Sequence, residues 1–152
     1  RYFTKIRNYL AQPEHKRATK TSLFFISCWF RRKKDNMIKT KSVYYDKVEE
    51  EDGVRILIMR HWCRPLSKEK AKIDEWLREL APSRQLLEDW NNHRIHWPEY
   101  KRRYLEEMKG QKENIRKLTK RAKTETITLL CKELADEHCH RKLLKSLIDD
   151  LS

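Results

Sequence analysis

Between Arg60 and Arg64 the chain sets down a guanidinium, an imidazole, an indole, a thiol and a second guanidinium in consecutive positions, Arg60-His61-Trp62-Cys63-Arg64. A second concentration of reactive side chains is His138-Cys139-His140. Arginine pairs present forks of donors that match carboxylate or phosphate oxygens. Imidazole donates or transfers protons near neutral pH. An indole can wall a pocket or stack on a planar group. Together these types suit recognition of a small anion. Arg60 and Arg64 would hold it, His140 would be the donor or proton-transfer group, and Trp62 and His61 would line the pocket.

Other chemistries fit less of the pattern. Cys63, beside Arg64 and near His61, invites nucleophilic catalysis through a lowered thiol pKa. A phosphatase-type loop, however, separates cysteine from arginine by five residues and contains glycine, whereas Arg64 follows Cys63 directly. A glycine-flanked serine elbow is absent from the sequence. His61, Cys63, Cys131, His138, Cys139 and His140 are all competent metal ligands. His138 and Cys139 are the metal candidates, but no CxxC pair and no HxxxH spacing supports them, and the expectation is no resident metal. His93 and His96 fall in a polar stretch, Asn-Asn-His-Arg-Ile-His, expected to be a solvated loop. With Gly53 and Gly110 as its two glycines, the chain cannot form a glycine-rich phosphate loop, which removes both common nucleotide fingerprints.

Strands and helices must bring the two clusters together. Residues 38–45 and 54–59 read as strands, the second apolar without alternation, as in a strand covered on both faces. Residues 126–131 are another of that kind. Ile73, Trp76, Leu77 and Leu80 have the spacing of one helical face, and Leu86, Leu87 and Trp90 that of a short helix capped by Ser83. Trp97, Tyr100, Tyr104 and Met108 form a further stripe, with Pro98 suited to a first turn. Ile115, Leu118 and Ala122 continue as a helix. His140, Leu143, Leu144, Leu147, Ile148 and Leu151 make a complete amphipathic helix.

Strands separated by long helical segments require crossovers and at least partly parallel pairing. The expected fold is therefore α/β: a single domain with a small, mostly parallel sheet of about three strands flanked by helices. In open sheets of this class ligands bind beyond the carboxyl ends of the strands. Both clusters follow strands, so parallel pairing would deliver them to one edge.

Charged residues make up 39% of the 152 positions and hydrophobic ones 38%, so the core must come from patterning. The formal charge of +13 is unevenly spread. Residues 1–36 hold ten Lys/Arg against two acids, and residues 37–152 hold twenty-six against twenty-one. The first segment reads as a basic N-terminal extension, disordered or foreign to the native domain, and Met37 as the start of the folded unit. A nucleic-acid-binding module using this arm and surface arginines is the alternative function, and a protein-interaction domain without catalysis is a third. Four well-separated cysteines indicate reduced thiols and a cytoplasmic location. The longest apolar-rich run, residues 23–30, is too short to span a bilayer, and no membrane partner is expected. Enzyme status and cofactor stay open.

From Met37 onward the chain resembles the YeaO-like bacterial and archaeal proteins, domain of unknown function 488. The resemblance rests on IKTKSVY, EDGVRILIMRHW, KIDEWLRELAPS, YKRRYLEEM, the TLL before the last helix, and His140. It covers nearly all of residues 37–152 and none of 1–36. It implies a small cytoplasmic α/β protein with no established activity. The family pattern after the second strand is Arg-x-Trp-Pro-Arg-Gly. Arg60, Trp62 and Arg64 match it, while Cys63 replaces proline and Pro65 replaces glycine. Before the last helix, Cys139-His140 stands where the family tends to have Asn-His.

Overall fold

The computed structural model describes residues 37–151. The basic extension expected over residues 1–36 lies outside the described residues. Four strands form one sheet: β1 (Ile38–Ser42), β2 (Val54–Leu57), β3 (Glu75–Trp76) and β4 (Ile127–Cys131). Their order is β1-β4-β2-β3, and every pairing is parallel. β4 is central, pairing Ile127 with both Ile38 and Val54. Among the described residues five helices complete the fold: α1 (Lys68–Ala71), α2 (Arg84–Asn91), α3 (Trp97–Lys109), α4 (Lys112–Arg121) and α5 (His140–Asp150). The single-domain α/β class expected from the sequence is the one observed, with the sheet wholly parallel and one strand larger. Among the described residues, no helix is long and apolar enough to cross a membrane.

The sheet is buried on both faces because successive strand residues point to opposite sides. Ile56, Ile58, Ile127 and Leu129 meet Leu86, Tyr104, Leu118, Leu144 and Ile148 in the larger core. Leu57 and Leu130, one residue out of phase, meet Val43, Cys63, Ala71 and Ile73 in the smaller one. Each fully buried Leu or Ile here contributes about 1.5–3 kcal/mol relative to exposure, so the continuous apolar runs of β2 and β4 are what hold two layers onto one sheet.

The segment 73–80 departs from expectation. It is not a helix but the short edge strand β3 followed by a 3-10 turn, Arg78–Leu80. The reason is visible in the packing. Ile73 and Trp76 join the smaller core, while Leu77 and Leu80 join the larger one. A helix would put all four on one side; an extended segment at the sheet edge splits them between two. The last helix is as expected except at its end, where Leu151 lies beyond α5 and is exposed.

Gly53 enters β2 with φ 61°. A Cβ there would lie 2.1 Å from the Thr126 carbonyl oxygen, so the close approach of the β2 and β4 entrances requires glycine. Beside it, buried Asp52 pairs with Lys41 at 2.6 Å and with the buried Arg55 guanidinium. Arg55 also donates to the Lys72 and Ala71 carbonyls. This network closes the amino-terminal edge of the sheet.

Candidate functional site

Because all four strands run in one direction, the residues that follow them share the opposite, carboxyl-terminal edge. A cleft of about 730 Å³ lies there. Tyr44 follows β1, the segment from Met59 to Arg64 follows β2, Trp76 and Arg78 end and follow β3, and Lys132 follows β4. Arg84, at the start of α2, completes it. Its lining thus carries five cations, Arg60, Arg64, Arg78, Arg84 and Lys132, and no carboxylate.

The cations differ in how they are held. Arg60 donates through Nε to the Pro82 carbonyl and through Nη2 to the Ala81 carbonyl, both at 3.0 Å. Its charge is fixed in the wall, and it ties the loop after β2 to the turn before α2. The Arg78 guanidinium lies 3.8 Å over the Trp76 ring. Lys132 has a loose pair with Glu133 at 3.7 Å, both half-exposed. Arg64 and Arg84 are exposed, and among the described residues neither side chain has an ion-pair partner. The two indoles form an edge-to-face pair at 5.2 Å. Trp62 donates to the Leu66 carbonyl and Trp76 to the Met59 carbonyl, each at 2.7 Å. Tyr44 donates to the Arg64 carbonyl at 2.7 Å. The Arg64–Pro65 peptide is cis, and the Leu66 N–H closes the turn on the Cys63 carbonyl.

His140 is not in this cleft but in a smaller cavity of about 190 Å³ adjoining it. The two spaces share Met59, Arg60, His61 and Lys132. The two clusters singled out in the sequence therefore do reach one edge, with exposed His61 on both spaces and buried His140 at the inner one. His140 Nε2 is 2.7 Å from the Ile58 carbonyl oxygen, and Nδ1 is 4.0 Å from Cys131 Sγ. Since a carbonyl only accepts, Nε2 carries a proton.

Cys131, Cys139 and His140 are all buried, and their ligating atoms lie within 4.8 Å of one another. The hydrogen bond from the Cys139 thiol is the chief influence holding Cys131 well below the ordinary thiol range; burial opposes it and His140 supports it. Cys139 is correspondingly pushed up by that bond and by burial. Burial alone would lower the His140 imidazole, but the Cys131 thiolate outweighs it and raises the group. The three groups are thus electrostatically linked, each shifted by its neighbours as well as by burial.

Arg141, 2% exposed, fastens the loop that delivers Cys139. It donates to the Asp136 carboxylate and to the Glu133 and Leu134 carbonyls. Asp136 also accepts from the Thr40 hydroxyl at 2.7 Å.

Other residues named from the sequence fall elsewhere. The His138 ring sits 5.1 Å from Trp97 and 6.4 Å from Trp90, outside the cysteine cluster. His93 and His96 are exposed, as a solvated loop requires. Cys63 is fully buried in the smaller core, and burial raises its thiol instead of lowering it. The activated nucleophile considered for this position is therefore corrected to a core thiol. The sequence reading missed Arg78, Arg84, Lys132 and Tyr44. Lys132 had a signal, its place directly after a buried strand. Arg78 was hidden by the helix assigned to 73–80.

A family model described as "DUF488-N3a: Active DUF488-N3 subclade" matches residues 38–151. The chain belongs to this DUF488-N3a family. The match spans all four strands and five helices, and so both cavities. Among curated proteins, the chain is 33% identical over 93 residues to the uncharacterized protein YeaO of Escherichia coli, covering 61% of this chain and 80% of that one. It is 28% identical over 97 residues to the uncharacterized protein Rv3073c of Mycobacterium tuberculosis, covering 62% and 81%. No solved structure matches the chain.

Proposed function

We propose that this DUF488-N3a protein binds a small phosphate- or carboxylate-bearing ligand in the cleft at the carboxyl edge of its sheet. The observation that carries the reading is the lining: five cations and no carboxylate, the cations drawn from the ends of β2, β3 and β4 and the start of α2. Arg64 and Arg84 are the exposed forks that would grip the anion. Arg60, anchored on two carbonyls, would supply fixed positive charge and hold the wall in place. Trp62 and Trp76 form the apolar side, which suits a ligand with a planar portion. Exposed His61 is the imidazole best placed for proton exchange with such a ligand, and His140 would act behind it, through the inner cavity.

The test is calorimetric titration with inorganic phosphate, pyrophosphate and a nucleoside monophosphate. The double variant Arg64→Ala/Arg84→Ala should bind at least about 10-fold more weakly, the loss of two charge-assisted contacts. Lys120→Ala, on α4 and outside the cleft lining, should bind as wild type. Equal affinity in the double variant and wild type would remove the reading. The nucleic-acid alternative predicts a different signature: binding that weakens steeply with salt and depends on residues 1–36.

A further inference from the structure

We propose that Cys131, Cys139 and His140 form a binding site for a thiophilic d10 cation, probed as Zn²⁺, whose fourth position opens toward the inner cavity beside the cleft. The donor set is two sulfurs and one imidazole nitrogen, a combination that zinc takes with a free fourth position. The three ligands come from two elements that the fold holds in register. Cys131 is the last residue of β4, Cys139 caps α5, and His140 opens it.

Three observations carry the assignment. First, the spacing is close to that of a bound metal. With Zn–S at ~2.3 Å and Zn–N at ~2.0–2.1 Å in tetrahedral geometry, ligand atoms lie roughly 3.6–3.8 Å apart. Here His140 Nδ1 and Cys131 Sγ are 4.0 Å apart, and all three atoms fall within 4.8 Å. Closing on an ion needs side-chain shifts of under about 1 Å. Second, the imidazole is already oriented. Its Nε2–H is taken by the Ile58 carbonyl at 2.7 Å, which leaves Nδ1 as the nitrogen turned toward the sulfurs. Ligating histidines characteristically have their other ring nitrogen fixed in this way. Third, Cys131 and His140 both line the inner cavity, and this gives an ion a route in and an exogenous ligand a place to bind.

The charge balance agrees. Two thiolates and a divalent cation are neutral together, so the occupied site carries no net charge into a position where all three residues are buried. Binding requires both sulfurs and Nδ1 to be free of protons, so affinity should fall as pH falls. Arg141 holds the 133–136 loop from below and keeps Cys139 from drifting away.

The test uses the full chain, kept reduced. Zn²⁺ titration against a chromophoric chelator should give one ion per chain, with Kd at or below about 100 nM. Cys131→Ala and Cys139→Ala should each weaken binding by more than the about 100-fold expected when only a ligand's hydrogen-bond partner is lost. Cys63→Ala, a buried thiol in the other core, should leave affinity unchanged. Because the first two variants could fold poorly, wild-type protein is also titrated with Co²⁺. Thiolate-to-cobalt charge transfer in the near ultraviolet, with the intense visible bands of a tetrahedral ion, is the expected spectrum. A wild-type cobalt complex without thiolate charge transfer would overturn the site. So would Zn²⁺ affinity that survives both cysteine changes, or a chain isolated metal-free with Cys131 and Cys139 joined as a disulfide.

Discussion

The His140 imidazole at the first position of α5 is hydrogen-bonded to the Ile58 carbonyl just past the end of β2, 82 residues away in sequence, at 2.7 Å. This contact fastens the last helix to the rim of the sheet where both cavities meet. The carbonyl is buried with Ile58, which is 0% exposed. Replacing His140 by Ala should leave that oxygen unpaired and cost about 2–3 kcal/mol, from the unmet acceptor and the lost packing against Tyr104. Chemical denaturation of His140→Ala and His140→Gln would measure it, with the amide recovering part of the loss.

Asp52 contributes to the acid sensitivity of the fold. Burial would raise its carboxyl, but Lys41, the Glu49 N–H and Arg55 together hold it below the ordinary carboxylate range. A depressed folded value means stabilisation that is present above the unfolded pKa of about 4 and is lost as pH falls through the folded value. Urea midpoints should therefore drop below about pH 4 in wild type. In Asp52→Asn that part of the slope should vanish, and stability at neutral pH should fall by about 3–5 kcal/mol, because Arg55 is left buried without its counter-charge.

Gly53→Ala should be among the most damaging single-methyl additions in the domain. The residue sits at positive φ, and the added carbon would lie 2.1 Å from the Thr126 oxygen. A loss of about 3 kcal/mol or more is expected, read as a lowered thermal midpoint. Gly110→Ala, where the nearest atom would be an ordinary 3.4 Å away, should change stability little.

Cys63 should resist alkylation in the native protein. It is fully buried, and burial raises its thiol. Mass spectrometry after iodoacetamide treatment should find it unmodified until denaturant is added. Cys63→Ala should leave phosphate binding intact, since the side chain packs in the smaller core and does not line the cleft.

The parts legible in the sequence are those with a single periodicity. The unbroken apolar runs of β2 and β4, and the stripe from His140 to Ile148, announce a sheet covered on both faces and an amphipathic helix. Parallel pairing followed from the long helical connections, and with it the delivery of Arg60 and His140 to one rim. Residues 73–80 were opaque because alternating burial at a sheet edge happened to reproduce helical spacing. The cation lining was only half visible. Arg60 and Arg64 stand four residues apart in one segment, but Arg78, Arg84 and Lys132 join them from other parts of the chain. The Cys131–His140 approach needed the path of the 132–139 loop, which Arg141 shapes and no spacing rule encodes.

Arg141 brings a last consequence for how this protein would meet a ligand. With its fork committed to one carboxylate and two carbonyls, the segment before α5 becomes a rigid bracket as soon as the chain folds. The loss of loop entropy thus falls on folding, not on capture, so a small molecule entering the inner cavity would find its neighbours already set and would bind without waiting for a closure step.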